Sequence, residues 1–421
     1  MNLSNFRLVM VALAAVLVCT PSCALLAPKP APKRIAAIVT EYRHNSHADV
    51  IVSRILESYT LDGKGEYPNL KLASLYTDQV PASDTSRAMM KQHGVPIFTN
   101  IAEALTLGTG KLAVDGILLV AEHGKYPTNS TGNVIWPKRR MYDEIQKVFR
   151  QSGRVVPVFC DKHLADNWTD AKWMYDTAKE LKSPLMAGSS LPVLWRYPEA
   201  DMRRGAKLKE IVIVSYHTLD AYGFHALEIG QCLAERRAGG ETGIRSVRGI
   251  KGQAVWQAGR DGVFDRALLD AALKTLKQSP ISRGGTVEKL APEPILCTIE
   301  YRDGTRSHMI TLNGAVGEWA AAWRTADDNA VTATNFFTQE WRPFMHFTHL
   351  LKGAEQMFHT GQPAWPVERT LYTSAVLDAL LISLKQDGKP VETPHLDIKY
   401  TSDWNWKQPP PMPPDRPIND K

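Results

Sequence analysis

The chain has 421 residues, 44% of them hydrophobic and 22% charged, with a formal net charge of +6. This is an ordinary globular composition, long enough for two cores, and it excludes disordered and fibrous classes. No long Lys/Arg block interleaved with aromatics appears, so the mild basicity does not point to nucleic acid, and a small sugar-like or anionic ligand suits it better.

The first predicted element is a secretory signal. Arg7, an apolar run over residues 8–18 and the small residues Ser22-Cys23-Ala24 fit a cut after Ala24. An uncleaved anchor would share that pattern. Thr20-Pro21-Ser22 is a poor lipidation box before Cys23, and there is no twin-arginine pair. The expectation is a bacterial protein exported to the periplasm, with no stable membrane span after cleavage. The mature chain then keeps Cys160, Cys232 and Cys297, too widely spaced for a disulfide framework.

Residues 25–33, with Lys29-Pro30-Ala31-Pro32-Lys33, read as a short stiff linker. Strand-like and helical patterns then alternate. Residues 34–40 form an apolar strand, and Ser46-His47-Ala48-Asp49 has the form of a capping box before helical spacing of Ala48, Ile51, Val52, Ile55, Leu56 and Tyr59. Strands follow at 70–76, 95–99, 114–121, 154–160 and 184–187, and helices at 83–93, 138–151 and 170–182. This alternation predicts an α/β domain over residues 34–188, a Rossmann-like doubly wound parallel sheet.

From residue 189 the pattern changes. Long strands at 210–216 and 243–254 flank a helix at 224–237, and strands at 295–302 and 305–312 meet at Asp303-Gly304, a strong hairpin signal. Helices follow at 346–359 and 367–385. Residues 189–400 are therefore expected to form an α+β domain with a largely antiparallel sheet. The proline-rich tail over 401–421 should be extended or disordered.

Residues just past the carboxyl ends of parallel strands face the ligand crevice. Lys162, in Cys160-Asp161-Lys162-His163-Leu164, is one such residue, able to hold a substrate oxygen or act as an acid, though an ordinary surface lysine reads the same. Gly223-Phe224-His225-Ala226-Leu227-Glu228 puts His225 in a first helical turn with Glu228 on the same face. The helix N-terminus disfavours imidazolium there, so His225 can serve as a neutral base.

The Asp161-Lys162-His163 segment, the Pro184-Leu185-Met186-Ala187-Gly188 strand and the Gly-x-His-x-x-Glu helix at 223–228 together resemble the Gfo/Idh/MocA oxidoreductases over roughly residues 34–400. The family's Glu-Lys-Pro appears here as Asp161-Lys162-His163. The resemblance implies that Lys162 and His225 are catalytic and converge on a sugar or polyol carbon, with hydride moved to or from NAD(P). It implies a homo-oligomer as well. Substrate-binding candidates are Asp161, His163, Arg196, Tyr222 and Glu228.

The turn Thr40-Glu41-Tyr42-Arg43-His44-Asn45-Ser46-His47 departs from this pattern: it carries no glycine where a Gly-x-Gly-x-x-Gly turn would approach pyrophosphate. Glu41, His44, Asn45, Ser46, Asp78 and Glu122 are the candidate cofactor contacts. A metal site from His44, His47 and His123 lacks any supporting spacing, so no metal is assigned. Three readings stay open: hydride transfer with an atypically held NAD(P), a cofactor-independent carbohydrate lyase or epimerase using Lys162 and His225, and an exported carbohydrate-binding protein.

Overall fold

The computed structural model describes residues 30–327 and 329–413. Residues 1–24, expected from the sequence to be a signal segment, lie outside them. The first layer contains β1 (Lys33–Val39), α1 (His47–Glu57), β2 (Leu70–Thr77), α2 (Ser86–His93), β3 (Ile97–Phe98) and α3 (Ile101–Thr106). It continues with β4 (Gly116–Val120), α4 (Lys138–Ser152), β5 (Val158–Asp161), α5 (Trp168–Leu181) and β6 (Leu185–Gly188). The six strands run in parallel in the order β3-β2-β1-β4-β5-β6. This is the doubly wound sheet that the alternating pattern predicts.

Strand periodicity divides its core. Ile35, Ala37 and Val39 join one apolar cluster, while Ala36 and Ile38 join another with the residues of α3, α4 and α5. Helix α3, with only six residues, is too short to show a helical period in the sequence. At the start of α1 the expected cap forms: the Ser46 hydroxyl accepts the Asp49 N–H. Ser46→Ala is expected to cost about 1 kcal/mol, measurable by urea denaturation.

The second layer begins with β7 (Trp195–Tyr197) and β8 (Leu208–Ser215), a π-helical turn at Leu219–Gly223, α6 (Phe224–Ala234) and β9 (Ile244–Lys251). Then come α7 (Gln253–Arg260), α8 (Arg266–Thr275), α9 (Val287–Leu290), β10 (Ile295–Tyr301), β11 (Arg306–Thr311), β12 (Trp319–Thr325) and β13 (Val331–Phe337). The chain ends with α10 (His346–Thr360), α11 (Glu368–Lys385) and β14 (Val391–Glu392). The eight strands run β14-β9-β10-β11-β8-β12-β13-β7, antiparallel except for the β8–β11 pair.

One face of this sheet packs on α6 and α11, the other on α7 and α8. The strand expected over 243–254 stops at Lys251 because Gly252, at φ +66°, turns the chain into α7. Helix α11 is buried on most of its circumference, as expected of a helix in contact with neighbours on all sides. Helix α10 returns to the first layer, where Phe347, Leu350, Leu351 and Phe358 pack with Ile35 and Val39.

The proline-rich tail forms no helix or strand through residue 413, which agrees with the extended alternative. It lies along the sheet edge: Trp406 Nε1 donates to the Leu194 carbonyl at 2.8 Å, and the Gln408 amide brackets the Arg196 backbone at 3.0 and 3.3 Å. Prolines have no N–H to offer a strand, so these side chains do the pairing. They cover the edge strand β7. No helix among the described residues is long and apolar enough to cross a membrane.

Candidate active site

The carboxyl ends of the first-layer strands open onto a cavity of about 280 Å³. Glu122, beyond β4, and Lys162, beyond β5, line one side. Tyr222 and His225 come from the π-turn and α6 of the second layer, and Trp319 opens β12. Residues Phe344, His346 and Phe347 complete the wall.

Two lysines share one buried carboxylate. Lys138 Nζ, at the first position of α4, donates to Glu122 Oε1 at 2.6 Å and to the carbonyls of Asp161 and His163 at 2.9 and 2.8 Å. Its three protons are spent. Lys162 Nζ donates to Glu122 Oε2 at 2.7 Å and makes no other hydrogen bond within the described residues. The two lysines therefore differ in kind: Lys138 holds the wall together, while Lys162 keeps two N–H groups for a ligand.

Burial alone would raise the Glu122 carboxyl, but Lys138 and Lys162 outweigh it and hold Glu122 well below the usual range. Burial alone would lower the Lys162 ammonium, yet Glu122 and Asp161 keep it above its ordinary value. A charged donor is thus maintained at the cavity wall. His225 Nδ1 lies 2.5 Å from the Ser189 hydroxyl, and burial together with the Lys162 charge keeps its imidazole neutral. His47 Nδ1 lies 2.5 Å from Asp161 Oδ2.

His163 turns Nε2 to the Asp220 carbonyl, while His123 Nδ1 accepts the His47 N–H at 3.4 Å. Burial pushes both imidazoles down to about 3. Their unfolded counterparts take up protons below about 6.5, so the unfolded state binds more protons between roughly pH 6.5 and 3. Stability is therefore complete above that window and falls as pH drops through it, by up to about 1.4 kcal/mol per pH unit for each such histidine. The urea midpoint at pH 5 is expected to lie clearly below that at pH 7.

Asn45, Glu122, Lys162, His163, Tyr222 and His225 line the cavity. Asp161 sits behind His47 and reaches the cavity only through it. Other candidates need correction. Arg196 is wholly enclosed, paired with Asp201 at 2.5 Å and stacked on Trp406, because β7 turns its side chain into the second core. Glu228 is buried between layers, receiving the Thr373 hydroxyl at 2.7 Å, and sits where a Cβ on Gly188 would collide with it. Glu41 pairs with Arg43, His44 is exposed, and neither lines the cavity. Ser46 is used as the helix cap.

Lys138 and Trp319 went unread in the sequence. A lysine opening a helix opposes the helix dipole, and that misfit was the available signal for a buried carboxylate nearby. Trp319 stacks on Tyr222 with centroids 5.4 Å apart and opens β12, whose alanine-rich run gives no strand alternation.

A nicotinamide dinucleotide needs free N–H groups at the β1–α1 turn and an acceptor beyond β2. Here the Asn45 N–H goes to Asp49, the His47 N–H to His123 and the Asp49 N–H to Ser46. Arg342 crosses the helix start to bind Asn45 and Asp49 at 3.0 and 2.7 Å. Asp78 already accepts the Tyr76 and Tyr126 hydroxyls and Arg140. Gln79 and Lys125 join the β2 and β4 rims through two further bonds. These residues do not fit a pyrophosphate and its ribose: the donors are taken and a carboxylate stands at the helix start. Among the described residues no three His, Cys, Asp or Glu side chains are grouped to hold a metal ion.

No protein-family model and no curated protein matches the sequence. Solved structures do. GenD2 from gentamicin A biosynthesis, in complex with NAD, aligns over 87% of this chain and 99% of its own, with TM-score 0.56 and 12% identity. Apo scyllo-inositol dehydrogenase from Lactobacillus casei covers 86% and 98%, with TM-score 0.53 and 11% identity. A probable dehydrogenase from Thermotoga maritima covers 86% and 99%, with TM-score 0.52 and 12% identity. At such identities the likeness concerns architecture, and on it this chain has the fold of the Gfo/Idh/MocA sugar and inositol dehydrogenases.

Proposed function

We propose that this protein is a cofactor-independent carbohydrate enzyme that moves a proton next to a carbonyl, in an epimerisation or elimination without net redox change. The observation that carries this reading is Lys162, a buried charged donor with two unspent N–H groups, in one cavity with the neutral imidazole of His225. Lys162 holds the substrate carbonyl oxygen. His225 takes the adjacent C–H proton, the C–H pair becomes a C=C bond, and the carbonyl π pair moves to oxygen beside the ammonium. The enediolate is then reprotonated, or it expels a β-oxygen substituent that leaves with a proton.

The substrate class follows from the cavity. At about 280 Å³ it lies just below the range of roughly 300–1,000 Å³ for small-molecule sites, a volume for one sugar ring. The stacked Tyr222 and Trp319 offer an apolar face to ring C–H groups, with titratable side chains around it. One structure of the same fold is a scyllo-inositol dehydrogenase, which supports a polyol or sugar ligand. Export to the periplasm belongs to the same proposal.

Hydride transfer with NAD(P) is the second reading, favoured by the NAD in the GenD2 structure. Purified protein is denatured and its supernatant assayed for nicotinamide dinucleotides, and the native protein is titrated calorimetrically with NAD⁺ and NADP⁺. The proposal expects neither nucleotide nor heat. Recovery of nucleotide, or saturable binding, would move the assignment to the dehydrogenase.

A further inference from the structure

Resting on that reading, we infer that the His47–Asp161 pair is a second acid–base group of the same site, facing the substrate from the first layer while His225 faces it from the second. Three observations carry it. First, Asp161 is 1% exposed and its Oδ2 is 2.5 Å from His47 Nδ1. A carboxylate only accepts, so Nδ1 carries a proton and Nε2 is the nitrogen left to exchange one with the cavity. Second, His47 Nε2 has no hydrogen-bond partner within the described residues, and the ring lines the cavity. Third, the ring is fixed edge-on against Phe347 at 4.9 Å and against His123 at 5.3 Å, while its own backbone N–H is held by His123.

A carboxylate behind an imidazole fixes its tautomer and stabilises the imidazolium that forms when it accepts a proton. Every group around His47 therefore favours one task, proton exchange at Nε2. The adjoining Glu122–Lys162 pair supplies the donor for the carbonyl oxygen. Sequence position explains the arrangement. His47 occupies the first position of α1, where a dinucleotide-binding turn would need clearance, and Asp161 ends β5 immediately before Lys162. The residue that obstructs a pyrophosphate is the one that gains the carboxylate partner.

Bases on two walls match a definite substrate class: a cyclic keto-sugar or keto-glycoside whose C–H beside the carbonyl is removed on one face of the ring. The returning proton arrives on the other face, or the departing oxygen is protonated there. In this scheme neutral His225 removes the proton and becomes imidazolium, and the C–H electrons form the enediolate held by Lys162. His47, protonated at both ring nitrogens beside Asp161, delivers the second proton from Nε2 on the other face, and the proton on His225 returns to His47 through water to reset the pair. Atoms and electrons balance without any oxidant.

The test uses the full-length protein and methyl hexopyranosides bearing a ring ketone at carbon 2, 3 or 4, incubated in D₂O and followed by NMR for deuterium wash-in and product. His47→Ala is expected to lose at least about 100-fold in kcat with KM little changed. Added imidazole should restore at least tenfold of that activity, which a merely structural histidine would not allow. Asp161→Asn should lower kcat in the wild-type background but change it by less than twofold further in the His47→Ala background, because Asp161 acts through that ring. Wild-type activity retained in His47→Ala, or a loss that imidazole leaves untouched in a variant with unchanged thermal unfolding, overturns the role of His47 alone. Wild-type protein inert on every keto-sugar overturns the proton-transfer function and this inference with it.

Discussion

Replacing Glu122 by alanine is expected to lower the free energy of unfolding by about 3–5 kcal/mol, seen as a lower urea midpoint at unchanged slope. The size follows from what is left behind. Lys138 is 0% exposed and Lys162 3% exposed, and both ammoniums bind this one carboxylate. Without it, two charges remain in an interior that solvates them poorly, and truncating one partner of a buried pair strands the other. Glu122→Gln keeps an acceptor but loses the charge, so its cost should fall between the alanine variant and the wild type. Equal stability of Glu122→Ala and wild type would mean that the lysines reach water.

Replacing Lys162 by methionine is expected to remove catalysis while leaving the fold nearly intact. Glu122 then keeps Lys138, which still binds both of its backbone carbonyls, so no carboxylate is stranded. A lost donor at a developing oxyanion typically lowers turnover by about 10²–10³-fold. Lys138→Met should do the reverse to the fold: two buried carbonyls lose their donor and stability falls. Turnover by each variant on the keto-sugar panel, read beside its urea midpoint, separates the two lysines. If Lys138→Met leaves stability unchanged, or Lys162→Met leaves turnover unchanged, the division of labour fails.

Much of the architecture was readable because it repeats simple periods. The parallel sheet follows from apolar strands alternating with amphipathic helices, and the β10–β11 hairpin from Asp303-Gly304, both as found. Lys162 and His225 were singled out by strand-end and helix-start positions, and the structure puts both on one cavity. What escaped the sequence depends on long-range contact. Arg196 follows a strand end, but β7 is an edge strand whose side chain is claimed by Asp201 and by Trp406 from the tail. Glu228 shares a helix with His225, yet points between the layers toward Thr373. Arg342 reaches Asn45 and Asp49 from a loop nearly three hundred residues later, a pairing that no local pattern announces. The glycine-free turn at Thr40–His47 could be read as a departure, but not the partner that gives it use, since the Asp161 carboxylate arrives only when β5 lies beside α1.

The central claim is proton transfer on a keto-sugar without nicotinamide, and one measurement bears on it most directly. Protein refolded from denaturant and dialysed free of nucleotide is mixed with the keto-hexosides in D₂O, with and without added NAD⁺ or NADP⁺. Deuterium at the carbon beside the carbonyl is then followed by NMR. The account predicts wash-in at the same rate in both arms. Exchange or turnover that appears only when nicotinamide is added would contradict it.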